Sequence, residues 1–324
     1  MKNRHYETIA IHAGQDPDPT TGAVVTPIYA TSTYAQEAPG DGAYEYSRTD
    51  NPTRTALQTA LAELEGAGTG GAVATASGMA ATALIGYLLK PGDHIVIPND
   101  AYGGTYRFIA RVLGEQGVEW TVVDQTDLNA VEAAMRPETR VVWTETPTNP
   151  LLRVADIAAI AAIAHAGNAR LVVDNTFATS YLQQPLALGA DVSLYSTTKY
   201  VAGHSDLIGG ALVTRDGELL ERLRFFQNAA GPVPSPFDVY LTLRGLRTLG
   251  VRMDRHCANA ARIAEFLVEH PTVREVFFPG LPTHPQHELA ARQMGGFGGM
   301  ISFRVKSGPG GPVAIIASRI AERT

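Results

Sequence analysis

Five short apolar runs, at residues 94–98, 118–123, 140–143, 170–174 and 192–195, recur through the middle of the chain. Each is set apart from the next by a helical pattern or a turn cluster. Such runs, bounded by turn signals, read as strands buried on both faces, and strands alternating with helices can bury their apolar surfaces in few ways. The pattern predicts an α/β fold, a mostly parallel sheet flanked by helices. Ligands of such sheets sit beyond the carboxyl ends of the strands, so the residues after each run are where chemistry is expected.

The first fifty residues are rich in Thr, Pro, Gly and Tyr without periodicity, and are expected to form an arm (1–50) that wraps something rather than folds alone. Helical spacing over 55–65 stops at Gly66, a candidate left-handed cap, and opens the large domain expected over 51–255. A long helical pattern at 238–270 is broken by Pro271 and by Pro279-Gly280, marking the passage into a smaller C-terminal α/β domain, 256–324. A chain of 324 residues is long enough for two domains.

Several function classes are set aside by composition. No apolar run approaches the roughly 20 residues that span a bilayer, and the start of the chain lacks a secretion signal, so a cytoplasmic protein without membrane partners is expected. Cys257 is the only cysteine, which excludes an internal disulfide and a multi-cysteine metal site, and no metal is expected. A net charge of −6 argues against a nucleic-acid partner. The arginines between 222 and 262 have helical spacing among Leu, Glu and Asp, which reads as a solvated or interface helix.

Gly66, Gly68 and Gly71 fit G-x-G-x-x-G, the pattern of a dinucleotide-binding turn. That turn follows a strand and opens a helix. Here a helical pattern precedes the glycines and the apolar 72–76 follows, so a helix-to-strand turn is the better reading. Ser77-Gly78-Met79 then begins a helical pattern with serine as its cap. Unpaired first-turn amides make such a start an anion site, and glycine lets a phosphate approach the backbone. A capped structural helix explains the same residues.

Asp174 ends one apolar run and faces the expected pocket, although a turn cap is an equal reading. Lys199 follows the next run, after Ser196-Thr197-Thr198. The other lysines are Lys2, Lys90 and Lys306, so surface charge is handled almost entirely by arginine. An amine among hydroxyls and apolar neighbours suits a Schiff-base lysine, and an ordinary surface lysine is the alternative. An anion-binding helix start, an acid and a lysine, in that order, are together what pyridoxal phosphate chemistry requires of a protein.

The sequence resembles the Cys/Met-metabolism family of fold-type I pyridoxal phosphate enzymes, and within it the cystathionine γ-synthases of actinobacterial type. The likeness runs from Ile11 to about Ser302. It is carried by YSRTDNPTR (46–54), ASGMAA (76–81), DAYGGTYR (100–107), ETPTNPLLRV (145–154), VVDNTFAT (172–179), STTKYVAGHSD (196–206) and SPFD (235–238). The resemblance implies that Lys199 is the Schiff-base lysine and general acid/base, and that Asp174 partners the pyridine nitrogen. It implies phosphate contacts from Gly78, Met79, Ser196 and Thr198, a ring stacked on Tyr102, which also assists catalysis, and Asn149 near the 3′-oxygen. Tyr46 and Arg48 match residues that reach a neighbouring subunit's phosphate, which implies a homotetramer built from dimers with shared sites. Glu45 and Arg107 match substrate-contacting positions.

The implied reaction is γ-replacement on an O-succinyl- or O-acetyl-homoserine by L-cysteine, giving L-cystathionine. Cystathionine γ-lyase shares nearly every motif, and an O-acyl-homoserine sulfhydrylase is a third reading. Methionine γ-lyases are set aside because they place a cysteine where Gly104 stands. The chain ends at Thr324, ahead of the family's serine-leucine-glycine turn and its arginine for the substrate α-carboxylate. An incomplete small domain is therefore expected, and a protein that binds the cofactor without turnover is the alternative to an enzyme.

Overall fold

The computed structural model describes residues 5–38, 40–68 and 70–306. Helices α1 (Tyr6–His12) and α2 (Pro52–Leu64) precede strand β1 (Gly71–Thr75) and α3 (Gly78–Gly86). Then come β2 (His94–Pro98), α4 (Gly103–Phe108) continued by a π-helical turn at Ile109–Leu113, β3 (Glu119–Val123), α5 (Leu128–Ala134), β4 (Thr139–Glu145) and α6 (Ile157–Ala166). The sheet is completed by β5 (Arg170–Asp174), α7 (Thr179–Leu182), β6 (Val192–Tyr195) and β7 (Gly210–Thr214). Helices α8 (Gly217–Ala230), α9 (Pro236–Leu246) and α10 (Leu249–Glu269) lead to β8 (Val273–Phe277), α11 (His287–Gln293) and β9 (Ser302–Val305).

Seven strands form one sheet in the order β1-β7-β6-β5-β4-β2-β3, and β8 pairs antiparallel with β9 in a separate hairpin. All pairs of the large sheet are parallel except those of β7, which runs antiparallel to both β1 and β6. The five apolar runs are β2 to β6. Strand β4 continues two residues past its expected end, to Glu145. Strand β7 gives no comparable run because it is glycine-led and no helix precedes it.

Side chains alternate across the sheet as the pleat requires. Ile95, Ile97, Val141, Trp143 and Val172 pack on one face with α3, α8 and the π-helical turn. Val96, Val142, Leu171 and Val173 pack on the other with α5 and α6. A run that is apolar at every position is thus the sequence mark of a strand covered twice. Strand β3, with exposed Glu119, Trp120 and Val122, is the sheet edge. Local signals start the helices: Asn51 Oδ1 accepts from the Thr53 and Arg54 amides with Pro52 at the first helical position, and Asp156 caps α6.

The helical pattern at 238–270 is two helices, with the break at Arg247 and Thr248. At the end of α9, a Cβ on Gly245 would stand 2.1 Å from the Ala202 carbonyl oxygen, so this helix packs directly on the turn that follows Lys199. Helix α10 is unbroken from 249 to 269, and the expected division at 255/256 falls within it. Its Arg252 is not one of the solvated arginines that a solvated or interface helix would carry, because the guanidinium is occupied by backbone acceptors of that same turn. The expected tail after Lys306 lies outside the described residues.

Candidate active site

The chain moves outward from β2 to β3, then returns to place β4 on the other side of β2 and continues away through β5 and β6. This is a switch point of the kind where open α/β sheets bind ligands. The carboxyl ends of β1, β2, β4, β5 and β6 lie on one side of the sheet. A cavity of about 270 Å³ opens there. It brings together Gly78 and Met79 after β1, Tyr102 after β2, Asn149 after β4, Asp174 at the end of β5, and Ser196, Thr198 and Lys199 after β6.

The helix start leaves free amides facing the cavity. Ser77 Oγ accepts from the Ala80 amide at 3.0 Å, leaving the Gly78 and Met79 amides at positions for which a helix offers no partner. A Cβ on Gly78 would lie 2.8 Å from Ser196 Cβ and 3.0 Å from its hydroxyl, so only glycine keeps this corner open. The Thr198 hydroxyl lines the cavity but donates to the Gly209 carbonyl at 3.1 Å and accepts from the Gly209 amide at 3.0 Å.

Two acids dominate the far side. Glu145 and Asp174 are cross-strand partners at the ends of β4 and β5. Burial raises the Asp174 carboxyl above its ordinary range, while the Thr176 amide donates to its Oδ1 at 3.0 Å. Glu145 is held well above the ordinary glutamate value by burial first and by the charge of Asp174 second. Two backbone amides oppose that shift, from Tyr102 at 2.7 Å and Asn149 at 2.8 Å. A protonated ring nitrogen beside Asp174 would relieve this excess of negative charge, and an anionic group fits the cradle opposite. The residues present therefore fit pyridoxal 5′-phosphate.

Lys199 sits in a turn closed by its own carbonyl, which accepts from Gly203 N at 2.8 Å. Arg252 secures this turn from α10, donating to the carbonyls of Tyr200 at 2.5 Å, Val201 at 3.2 Å and Gly245 at 2.7 Å and to Thr248 Oγ1 at 3.1 Å.

Four expected residues are not in this cavity. Tyr46 and Arg48 line a second cleft with Arg54 and residues 233–236. The Arg48 guanidinium lies 5.2 Å from the Tyr46 ring centroid and its Nε donates to Asn228 Oδ1 at 3.2 Å. Glu45 and Arg107 are exposed and line neither cavity nor cleft. Conversely, Glu145 was not among the expected site residues, although the rule that pointed to Asp174, an acid at a strand's carboxyl end, points to it equally. A wider cleft of about 660 Å³ includes Asp124, Arg153, Glu275 and Arg304, but these pair with one another, Arg153 with Asp124 and Arg304 with Glu275, both at 2.8 Å. It offers no lysine. No group of side chains suited to a metal ion occurs among the described residues, nor does any helix there long and apolar enough to cross a membrane.

Comparison with known proteins agrees with this geometry. The family model described as Cys/Met metabolism PLP-dependent enzyme matches residues 7–318. The chain is 59% identical over 306 residues to cystathionine gamma-synthase of Mycobacterium tuberculosis, covering 93% of this chain and 78% of that protein. It is 51% identical over 306 residues to cystathionine gamma-lyase of Sus scrofa, covering 94% and 75%. Among solved structures, metB from Corynebacterium glutamicum superposes with a TM-score of 0.92 at 55% identity, covering 94% of this chain and 79% of that one. With a lysine, two acids and an anion cradle converging at the switch point, and with a match along nearly its whole length, the chain belongs to the family of Cys/Met metabolism PLP-dependent enzymes.

Proposed function

We propose that this enzyme forms L-cystathionine by γ-replacement, exchanging the succinyl or acetyl ester group of an O-acyl-homoserine for the thiol of L-cysteine. The observation that carries the reading is the convergence of Lys199, Asp174 and the start of α3 on one cavity. Synthase over lyase is supported by the higher identity to the Mycobacterium tuberculosis gamma-synthase, 59% against 51% for the Sus scrofa gamma-lyase. Methionine γ-lyase chemistry is disfavoured by the glycine at position 104, where a Cβ would stand 2.4 Å from Tyr102 Cε1 and 3.0 Å from the Met79 sulfur, so a cysteine there would require both side chains to shift.

When bound, pyridoxal 5′-phosphate supplies the electron-withdrawing ring that makes the substrate Cα proton acidic. In our reading the Gly78 and Met79 amides and the Ser196 hydroxyl hold its phosphate, and Thr198 joins them by turning its hydroxyl from Gly209. Asp174 would keep a proton on the ring nitrogen by charge, Tyr102 would cover one ring face, and Asn149 would lie near the 3′-oxygen. The Lys199 amine would take protons from substrate Cα and Cβ and return them after the acyl carboxylate has left Cγ and the cysteine sulfur, its thiol proton lost to solvent, has bonded there. Tyr102 assists these transfers. Glu45 and Arg107 are proposed to meet the substrate, and Tyr46 and Arg48 to complete the phosphate site of a neighbouring subunit in a cytoplasmic homotetramer.

The test is product analysis on the cofactor-loaded protein. Cystathionine formed from O-succinylhomoserine and cysteine supports the reading; ketoacid and ammonia released from cystathionine, with no condensation, would replace it by the lyase. An absorption spectrum without a cofactor band would overturn the assignment of Lys199.

A further inference from the structure

We infer that Glu145 is a positioning residue, whose carboxylate ties together the backbones carrying Tyr102 and Asn149 and so sets the spacing of two pocket walls. The inference rests on the cofactor reading proposed above for those two residues.

Glu145 is the last residue of β4 and is buried, 6% exposed, at the switch point between β2 and β4. One carboxylate oxygen accepts from Tyr102 N and the other from Asn149 N, so a single side chain bridges the loop after β2 and the loop after β4. The bridge is returned from the opposite loop. Asp100 Oδ2 accepts from Thr148 Oγ1 at 2.5 Å and from the Leu151 amide at 3.2 Å. Two acids, one per loop, thus lace the segments 100–102 and 148–151 together. The arrangement needs an acceptor at both oxygens, which a carboxylate provides and an amide does not.

Tyr102 has little else to orient it. Its side chain is 47% exposed and no side-chain hydrogen bond caps the start of α4 that it occupies. What directs the ring is its backbone, anchored to Glu145, and the bare surface of Gly104 beneath it. Loss of the anchor should therefore be felt as loss of the ring's fixed position.

The test is a double-mutant cycle read by equilibrium titration of the apo-protein with pyridoxal 5′-phosphate, without turnover. Glu145→Gln is expected to weaken cofactor binding about tenfold, the value of losing one amide bond to a charged acceptor. In a Tyr102→Ala background the same change is expected to cost about threefold or less, since most of its effect passes through the ring. Equal losses in both backgrounds, or unchanged affinity, would overturn the inference. Glu145→Asp keeps the charge but draws the oxygens back, and is expected to lose affinity likewise; undiminished binding there would also overturn it. Failure of the unmutated protein to bind the cofactor would instead overturn the cofactor reading itself.

Discussion

Gly78 and Ser196 meet so closely that a methyl group on the glycine would stand 2.8 Å from the serine Cβ, inside any normal contact. One residue opens α3 and the other follows β6, so this contact joins the two ends of the proposed phosphate site. Gly78→Ala must push Ser196 away or displace the helix start, at a cost of about 1–3 kcal/mol. Cofactor affinity is expected to fall by roughly tenfold or more, measured by titrating apo-protein, and Ser196→Ala in the same background is not expected to restore it, because the clashing Cβ stays while a proposed phosphate ligand is lost.

Tyr46 and Arg48 lie outside the Lys199 cavity of their own chain, which makes a test of shared sites direct. Arg48→Ala and Lys199→Ala are each expected to be inactive alone. Unfolded together and refolded as a mixture, they are expected to regain activity, because hybrid oligomers contain one site with both residues intact. No recovery in hybrids verified by native mass spectrometry would place Arg48 elsewhere in the mechanism.

Arg252 gives four hydrogen bonds, three to main-chain carbonyls of the Lys199 turn and of α9. Arg252→Met leaves those acceptors unserved and is expected to cost about 2–4 kcal/mol of stability in denaturant unfolding. Gly203→Ala should resemble it: Gly203 has φ +77°, and its Cβ would overlap the Arg252 guanidinium.

Glu65, 1% exposed, carries a pH prediction. Its Oε1 accepts from Ser193 Oγ at 2.9 Å and its Oε2 has no partner among the described residues. Burial raises its pKa from 4.5 to about 8. Between those values the unfolded chain has lost the proton that the folded chain keeps, so this group's contribution to stability falls as pH rises from about 5 to about 8 and is level above. Glu65→Gln is expected to remove that slope and to be more stable than the parent at pH 8 by on the order of 3 kcal/mol. Thermal unfolding of both proteins across this range checks it; parallel curves would sink the assignment.

The sequence made the doubly covered strands legible because their centres are continuous apolar runs, and it located Asp174 and Lys199 because one ends such a run and the other follows shortly after the next. Strand β7 was illegible, since its leading Gly210 and Ala211 leave only Leu212 and Val213 to mark it. Glu145 was passed over although its position obeys the rule that exposed Asp174. Its significance depends on meeting Tyr102 from 43 residues away, and that is a property of strand order rather than of local pattern. The same holds for Arg252, which looks like one more charge on a helix until the fold puts the Lys199 turn beneath it.

Helix α10 begins at that turn and ends against β8. Its 21 residues form a lever of about 30 Å, rigid over its length. The β8–β9 hairpin and the turn that carries Lys199 are therefore joined to opposite ends of one rod. Arg252, in the first turn of that rod, is the side chain that joins it to the main chain beside Lys199.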